Sequence, residues 1–216
     1  MIETLAYVKN FLRDRQVASI TPTSQFGVRG LCGTIDFKQT RVIVEYGPGT
    51  GVFTHYLLQN MRSDSKLIAI ERNRDFGSFL KQTIRDPRIR IFNDSAENVI
   101  DTLSACKESA ADYVISGIPF MWIPNDIKDN IIKSTYKALK PGGKFLVYQT
   151  CLQMDCHLKV HLEHVFGPVH ARYEIRNFPP LRLYEATKST AAFQLPGNGG
   201  NGHNGSNGKN GNGHGR

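Results

Sequence analysis

The sequence predicts an α/β fold in which a mainly parallel sheet carries helices on both faces. Three observations lead to that expectation. Short apolar runs alternate with amphipathic stretches between about residues 40 and 150. The first run, Val42-Ile43-Val44-Glu45-Tyr46, is apolar at nearly every position, as expected of a strand buried on both faces. It then enters the glycine-rich turn Gly47-Pro48-Gly49-Thr50-Gly51 and not a hairpin loop. The alternation places strands near 42–46, 66–71, 88–92, 111–116 and 143–150, with helices near 51–61, 75–84, 95–106 and 125–139. The helix at 125–139 has Pro124 near its start and stops at Lys140-Pro141-Gly142. A polar helix near 153–164 and extended segments near 169–176 and 184–192 complete the series.

The glycine turn is the most informative local feature. Glycines directly after a strand let the backbone turn tightly and approach a ligand, and the helix they open presents free N–H groups to it. The spacing Gly47, Gly49, Gly51 differs from the dinucleotide fingerprint, whose third glycine falls one residue later. The expected ligand therefore lacks a pyrophosphate. The second apolar run, Lys66 to Ile70, ends at Glu71, an acid placed to accept hydrogen bonds from both hydroxyls of a ribose.

A chain of 216 residues fits one such domain. No run of 18 apolar residues is present, and the N-terminus lacks a signal-peptide core, so a cytoplasmic or peripheral protein is expected. The four cysteines, Cys32, Cys106, Cys151 and Cys156, have no paired spacing and suit reduced thiols. Cys151, Cys156, His157, His161 and His164 follow no standard zinc pattern, and no metal is expected. The net charge of +8 implies attraction to an anionic surface, nucleic acid or membrane.

Residues 2–15 place Ile2, Leu5, Val8, Phe11 and Leu12 on one helical arc, with Lys9, Arg13 and Arg15 on or beside its polar side. Such a helix suits either a lid on the core or an anionic membrane interface. Thr21-Pro22-Thr23-Ser24 offers hydroxyl caps for a second helix at 25–32. From Pro196 the chain is Gly/Asn repeats with no large apolar residue and cannot fold alone. Three units result: 1–35 with the amphipathic and cap helices, 36–195 as the α/β domain, and 196–216 as a disordered tail.

In order along the chain, Glu45-Tyr46-Gly47-Pro48-Gly49-Thr50-Gly51, the acid Glu71, Asn93-Asp94-Ser95-Ala96, Ser116-Gly117-Ile118-Pro119-Phe120 and Lys140-Pro141-Gly142-Gly143 resemble the motifs of class I S-adenosylmethionine-dependent methyltransferases. That resemblance implies a Rossmann-like fold with a seven-stranded sheet, the segments at 169–176 and 184–192 forming its closing antiparallel hairpin. It implies S-adenosyl-L-methionine as cofactor. Glu45, Gly47, Gly49, Thr50, Gly51, Glu71, Arg72, Asp94, Ser95, Ala96 and Ser116 would hold it, Glu45 at the methionine amino group and Asp94 at the adenine amino group.

The loop after the fourth strand faces the transferred methyl in this fold. Its first position is Ser116, where adenine-N6 methyltransferases place Asn or Asp, so an rRNA adenine dimethyltransferase-like activity is the weaker alternative. The loop is similar to that of bacterial phospholipid N-methyltransferases. So are Phe11-Leu12-Arg13 with Ala18-Ser19-Ile20-Thr21-Pro22, and Arg176-Asn177-Phe178-Pro179-Pro180. The resemblance implies stepwise methylation of phosphatidylethanolamine towards phosphatidylcholine by a peripheral membrane enzyme, with residues 2–15 on the bilayer and no nucleic-acid partner. Tyr46, Ser116, Pro119 and Tyr148 are the expected catalytic residues. Phe120 and Trp122 would join the tyrosines in an aromatic pocket for the amine, since aromatic faces hold methylated ammonium groups. Arg176 and Arg182, with Arg29 and Arg172 as further candidates, would meet a lipid phosphate. Other amino lipids, ornithine lipid among them, remain alternatives, as does a non-catalytic module that binds lipid or nucleic acid.

Overall fold

The computed structural model describes residues 23–151 and 155–190; the amphipathic stretch 2–15 and the segment 196–216 lie outside the described residues. In chain order the elements are α1 (Gln25–Cys32), β1 (Val42–Tyr46), α2 (Val52–Asn60), β2 (Lys66–Ile70), α3 (Arg74–Thr83), β3 (Ile89–Phe92), α4 (Val99–Ala105), β4 (Ala111–Ser116), α5 (Asn125–Ala138), β5 (Leu139–Thr150), α6 (Leu158–Phe166), β6 (Val169–Glu174) and β7 (Leu181–Thr187). Short 3-10 turns at Ala96–Asn98 and Phe120–Trp122 precede α4 and α5. Side-chain caps mark two starts. Ser24 Oγ accepts from the Gly27 N–H at 3.3 Å, and the Asn73 side chain accepts from the N–H groups of Asp75 and Phe76.

Seven strands form one sheet in the order β3-β2-β1-β4-β5-β7-β6. The first five pair in parallel, and β7 runs antiparallel to both β5 and β6. The chain leaves β1 for β2 and β3, then crosses back to lay β4 on the other side of β1. The loops after β1 and β4 therefore diverge, opening a crevice at the carboxyl edge, where ligands of such sheets bind.

Two apolar layers sandwich the sheet. On one face α1, α2 and α3 cover Ile43, Leu67, Ala69, Ile115 and Leu146 through Leu31, Phe53, Leu57 and Leu80. On the other, α4, α5 and α6 cover Val42, Val44, Tyr46, Phe145 and Val147 through Val99, Ile131, Leu162 and Phe166. The alternation along β1 thus sends Glu45 and Tyr46 to opposite faces.

Three boundaries differ from expectation. Strand β5 begins at Leu139 and not at 143, because Leu139 pairs with Ala111 and a register shift between Ala111 and Tyr113 absorbs the Pro141-Gly142 turn. Strand β7 spans 181–187 instead of 184–192; it starts directly after Pro179-Pro180 because Leu181 pairs with Thr150. The expected helix near 153–164 is observed as Leu158–Phe166, while residues 152–154 lie outside the described set.

Helix α5 is fastened to the chain entering α6 by an ion pair between Lys128 and Asp155, both buried. Burial alone would raise the Asp155 carboxyl; the hydrogen bond from Lys128 and the His157 N–H hold it below its usual range. Lys128→Ala leaves that carboxylate buried without its cation and is expected to cost roughly 3–5 kcal/mol in urea unfolding. The double variant Lys128→Met/Asp155→Leu is expected to recover most of the loss. Equal losses in both variants would show that the pair does not carry the effect.

Candidate active site

The turn after β1 is built from conformations that side chains avoid. Gly47, Gly49 and Gly51 have φ of +62°, +57° and +86°. The Gly47 N–H extends the β1–β2 ladder to Ile70 O at 2.9 Å, and the Gly51 N–H closes the turn on Pro48 O at 2.9 Å. Between them, the Gly49 N–H donates to Glu71 Oε2 at 3.1 Å. The other oxygen of Glu71 accepts from the Asn73 N–H at 2.9 Å, so one carboxylate joins the glycine turn to the entry of α3. Burial raises the Glu71 carboxyl, opposed by the backbone N–H groups around it.

Glu45 lies one residue before the end of β1, buried on the α1–α3 side. The Thr54 hydroxyl donates to its Oε2 at 2.8 Å. Desolvation, reinforced by the neighbouring Glu71, nevertheless pushes its carboxyl up to about 8. No cation pairs with Glu45 among the described residues. A buried acid in this state is an electrostatic site for a cationic group.

The loop after β4 closes on the glycine turn from the other side. The Gly117 N–H donates to Tyr46 O at 3.1 Å, and a Cβ on Gly47 would lie 3.5 Å from the Ile118 side chain. Ser116 is buried, and its Oγ accepts from the Ile118 N–H at 3.3 Å, so the hydroxyl shapes the loop. Pro119 precedes the 3-10 turn. Tyr148 comes in from β5, half-buried, its ring stacked on Phe53 at 4.4 Å and its hydroxyl against the Cα of Gly117, where a Cβ would meet it at 2.2 Å. Burial, then Glu45, Cys32 and Glu71, push that hydroxyl well above the usual tyrosine range, so it stays protonated.

Two members of the expected aromatic pocket are displaced. Tyr46 is fully buried on the opposite face from Tyr148, its hydroxyl bonded to Thr135 Oγ1 at 3.0 Å and its ring edge-on to Phe145. Phe120 is likewise fully buried in the α4–α6 core. Neither ring offers a face to an incoming amine, so no single cage joins Tyr46, Phe120 and Tyr148. Trp122 stands exposed at the end of the same 3-10 turn.

At the end of β3, Asp94 is half-buried. It accepts from Asn98 Nδ2 at 2.8 Å, Ser95 opens the 3-10 turn, and Ala96 is buried beneath it. Arg72, next to Glu71, is exposed. The arginines expected at a phosphate are engaged elsewhere. Arg176 chelates the Glu174 carboxylate at 2.8 Å through two nitrogens, Arg182 lies over the rings of Tyr173 and Tyr184, and Arg172 donates to Gly30 O. Arg29 is exposed on α1. His161 Nδ1 meets Asp129 at 2.7 Å, and no three His, Cys, Asp or Glu side chains gather as a metal site among the described residues.

Three contributors were not anticipated from sequence: Thr54, which holds Glu45; Phe53, which backs Tyr148; and Asn93, whose Nδ2 donates to Glu71 O at 3.3 Å. Phe53 and Thr54 follow closely on the glycine turn that ends at Gly51, and Asn93 opens the motif Asn93-Asp94-Ser95-Ala96. That proximity was the signal available.

Comparison with known proteins agrees with this geometry. Residues 43–143 match a family model described as a methyltransferase domain. An ornithine lipid N-methyltransferase of Singulisphaera acidiphila is 25% identical over 177 residues, 82% of this chain and 91% of that protein. A precorrin-6y C5,15-methyltransferase from Geobacter metallireducens superposes with a TM-score of 0.63 at 16% identity, over 79% of this chain and 91% of its own. A TehB-like methyltransferase from Corynebacterium glutamicum gives 0.60 at 14% identity, over 87% and 99%. The N-methyltransferase NodS from Bradyrhizobium japonicum gives 0.57 at 14%, over 69% and 86%. These structures share the fold.

The raised Glu45 carboxyl has a measurable consequence. Between the ordinary glutamate pKa and about 8, the folded chain keeps a proton that the unfolded chain releases, so stability falls as pH rises through that window. Glu45→Gln removes this slope. In urea melts, the wild type is expected to lose roughly 4 kcal/mol more than the variant between pH 5 and pH 8. Parallel pH profiles would show that Glu45 ionises freely.

Proposed function

We propose that the chain is a class I S-adenosylmethionine-dependent methyltransferase that methylates the amine of a membrane amino lipid. Phosphatidylethanolamine and its mono- and dimethyl forms, leading towards phosphatidylcholine, are the first acceptors. The observation that carries the reading is the match to a lipid N-methyltransferase over 82% of the chain, which includes the loop after β4. The enzyme would work in the cytoplasm at the membrane surface; no described helix is long and apolar enough to cross a bilayer.

The residues present fit the cofactor. The three left-handed glycines leave room for close backbone approach, and Glu71 stands at their centre as a ribose acceptor. Glu45 is a buried acid awaiting a cation, and the cofactor's amino group is one. Gly47, Gly49, Thr50 and Gly51 would line the cofactor with Glu45 and Glu71, and Asp94, Ser95 and Ala96 would meet its base. When bound, S-adenosylmethionine supplies an electrophilic methyl on a sulfonium, displaced in line by a nitrogen lone pair.

The chain's own part is alignment and exclusion of water. A lipid amine arrives as an ammonium without a lone pair, and the apolar walls made by Ile118, Phe53 and Tyr148 disfavour that charged form. Ser116 and Pro119 hold the loop that closes over the amine. The neutral Tyr148 hydroxyl beside Gly117 is a hydrogen-bonding group for it, and its ring offers an aromatic surface for the methylated product.

An ornithine lipid is the second acceptor, favoured by the relative's own activity and by the engagement of Arg172, Arg176 and Arg182 with protein groups. An ornithine headgroup has no phosphate for those arginines to bind.

Labelled S-adenosylmethionine offered with vesicles of phosphatidylethanolamine, of ornithine lipid, or with RNA should transfer label to a lipid amine. Transfer to RNA alone would overturn the proposal. Glu71→Ala, which releases both the glycine turn and the Asn73 N–H, is expected to weaken cofactor binding by about 10–100-fold in calorimetry. Unchanged affinity would remove Glu71 from the cofactor site.

A further inference from the structure

The carboxyl edge of the sheet carries apolar side chains that the site does not use. The turn joining β6 to β7, residues 175–180, lies on this edge because β7 starts opposite the end of β5. Leu181 faces Thr150, and the Cys151 N–H donates to Pro180 O at 2.9 Å. On that turn Ile175 is 78% and Phe178 87% exposed, more than any other large apolar residue among those described. Phe26, at the start of α1, is 50% exposed beneath the Arg176 guanidinium, and Trp122 and Met121, on the loop after β4, are 48% and 43% exposed. Free-standing apolar groups around one mouth mark an interaction surface.

The turn itself is fixed. Asn177 is buried, its Oδ1 accepting from the Ser24 N–H at 2.7 Å and its Nδ2 donating to Pro179 O at 2.7 Å. The Arg176 N–H and guanidinium both bind Glu174. A backbone tied to α1 and to its own strand thus presents two bare apolar side chains. Arg29 is exposed on α1, Arg172 lies near the end of β6 and Arg182 near the start of β7, while Glu174, the last residue of β6, is already neutralised by Arg176.

We propose that this edge is a membrane-docking surface, with Ile175 and Phe178 inserted at the headgroup boundary of an anionic bilayer and Phe26 and Trp122 resting beside them. This rests on the amino-lipid reading, which requires the mouth of the site to face lipid, and it assigns docking to residues other than 2–15. Apolar side chains rimmed by arginines fit an anionic interface, where buried apolar area and charge attraction both contribute.

Trp122 is the chain's one tryptophan, so its fluorescence reports the edge directly. Vesicles of phosphatidylglycerol and brominated phosphatidylcholine, with no amine lipid, should quench and blue-shift it. Ile175→Ser/Phe178→Ser, at exposed positions, should keep the wild-type melting temperature and lose vesicle binding at least about tenfold. Its transfer to a dispersed short-chain phosphatidylethanolamine should stay within about twofold. Wild-type vesicle binding in the double variant would overturn the proposal. So would a concentration-dependent dimer that the double substitution abolishes while vesicle binding persists, since the turn would then serve a second copy. Because binding is read without any acceptor, a wild type that docks but methylates no lipid would refute the function and leave the surface standing.

Discussion

The two-sided hydrogen bonding of Glu71 is the contact on which the rest of the site depends. A turn with three residues at positive φ has little stability of its own, because glycine surrenders the most chain entropy when fixed. It holds its shape by being tied at both ends. The Gly47 N–H belongs to the β1–β2 ladder, and the Gly49 N–H belongs to Glu71, the residue directly after β2. The same carboxylate fixes Asn73, and Asn73 starts α3. A slip of one residue between β1 and β2 would turn Glu71 to the other face and free the turn and the helix together. The register of a central strand pair thus sets the shape of the turn as well as the fold.

Glu45 adds a second constraint of the opposite kind. Burial raises both carboxyls, but at Glu71 the backbone N–H groups of Asn73, Gly49 and Arg72 oppose it, whereas Glu45 has only the hydroxyl and N–H of Thr54 and a carboxylate for a neighbour. Such a group is poor at holding structure and good at discriminating ligands. With its carboxyl pushed up to about 8 it keeps its proton near neutral pH, and an ammonium brought beside it would favour the charged form. Selection for a cation then follows from leaving an acid underpaired. Thr54 fixes the direction of that acid without neutralising it.

What was legible in the sequence was what the backbone makes. The β1 run, the glycine spacing and the acid after β2 define the turn through main-chain geometry, and the alternation of the following segments marked the strands as mainly parallel. What was hidden was the facing of side chains in strands buried on both sides. In Val42-Ile43-Val44-Glu45-Tyr46 nearly every position is apolar, so alternation does not announce which face looks on the ligand, and Tyr46 and Tyr148 read alike until β1 and β5 are placed. Phe120 and Trp122 sit two residues apart on one short turn, yet one is core and the other surface. Arg176 looked available for an anion, yet its guanidinium closes on Glu174, two residues before it in the chain.

The two halves of the crevice differ in kind. The half formed by β1, β2 and β3 presents backbone groups and two acids, Glu45 and Glu71. The half formed by the ends of β4, β5 and β7 is made of side chains: Ser116 as a loop brace, Tyr148 against Gly117, and the apolar tip at Ile175 and Phe178. Because β7 runs antiparallel to β5, its incoming turn is carried to the carboxyl edge that the parallel strands already share. In an all-parallel sheet the chain would reach β7 from the opposite edge, far from the glycine turn. Reversing β7 therefore sets a projecting hairpin beside the ends of β4 and β5, on the same edge of the sheet as the glycine turn.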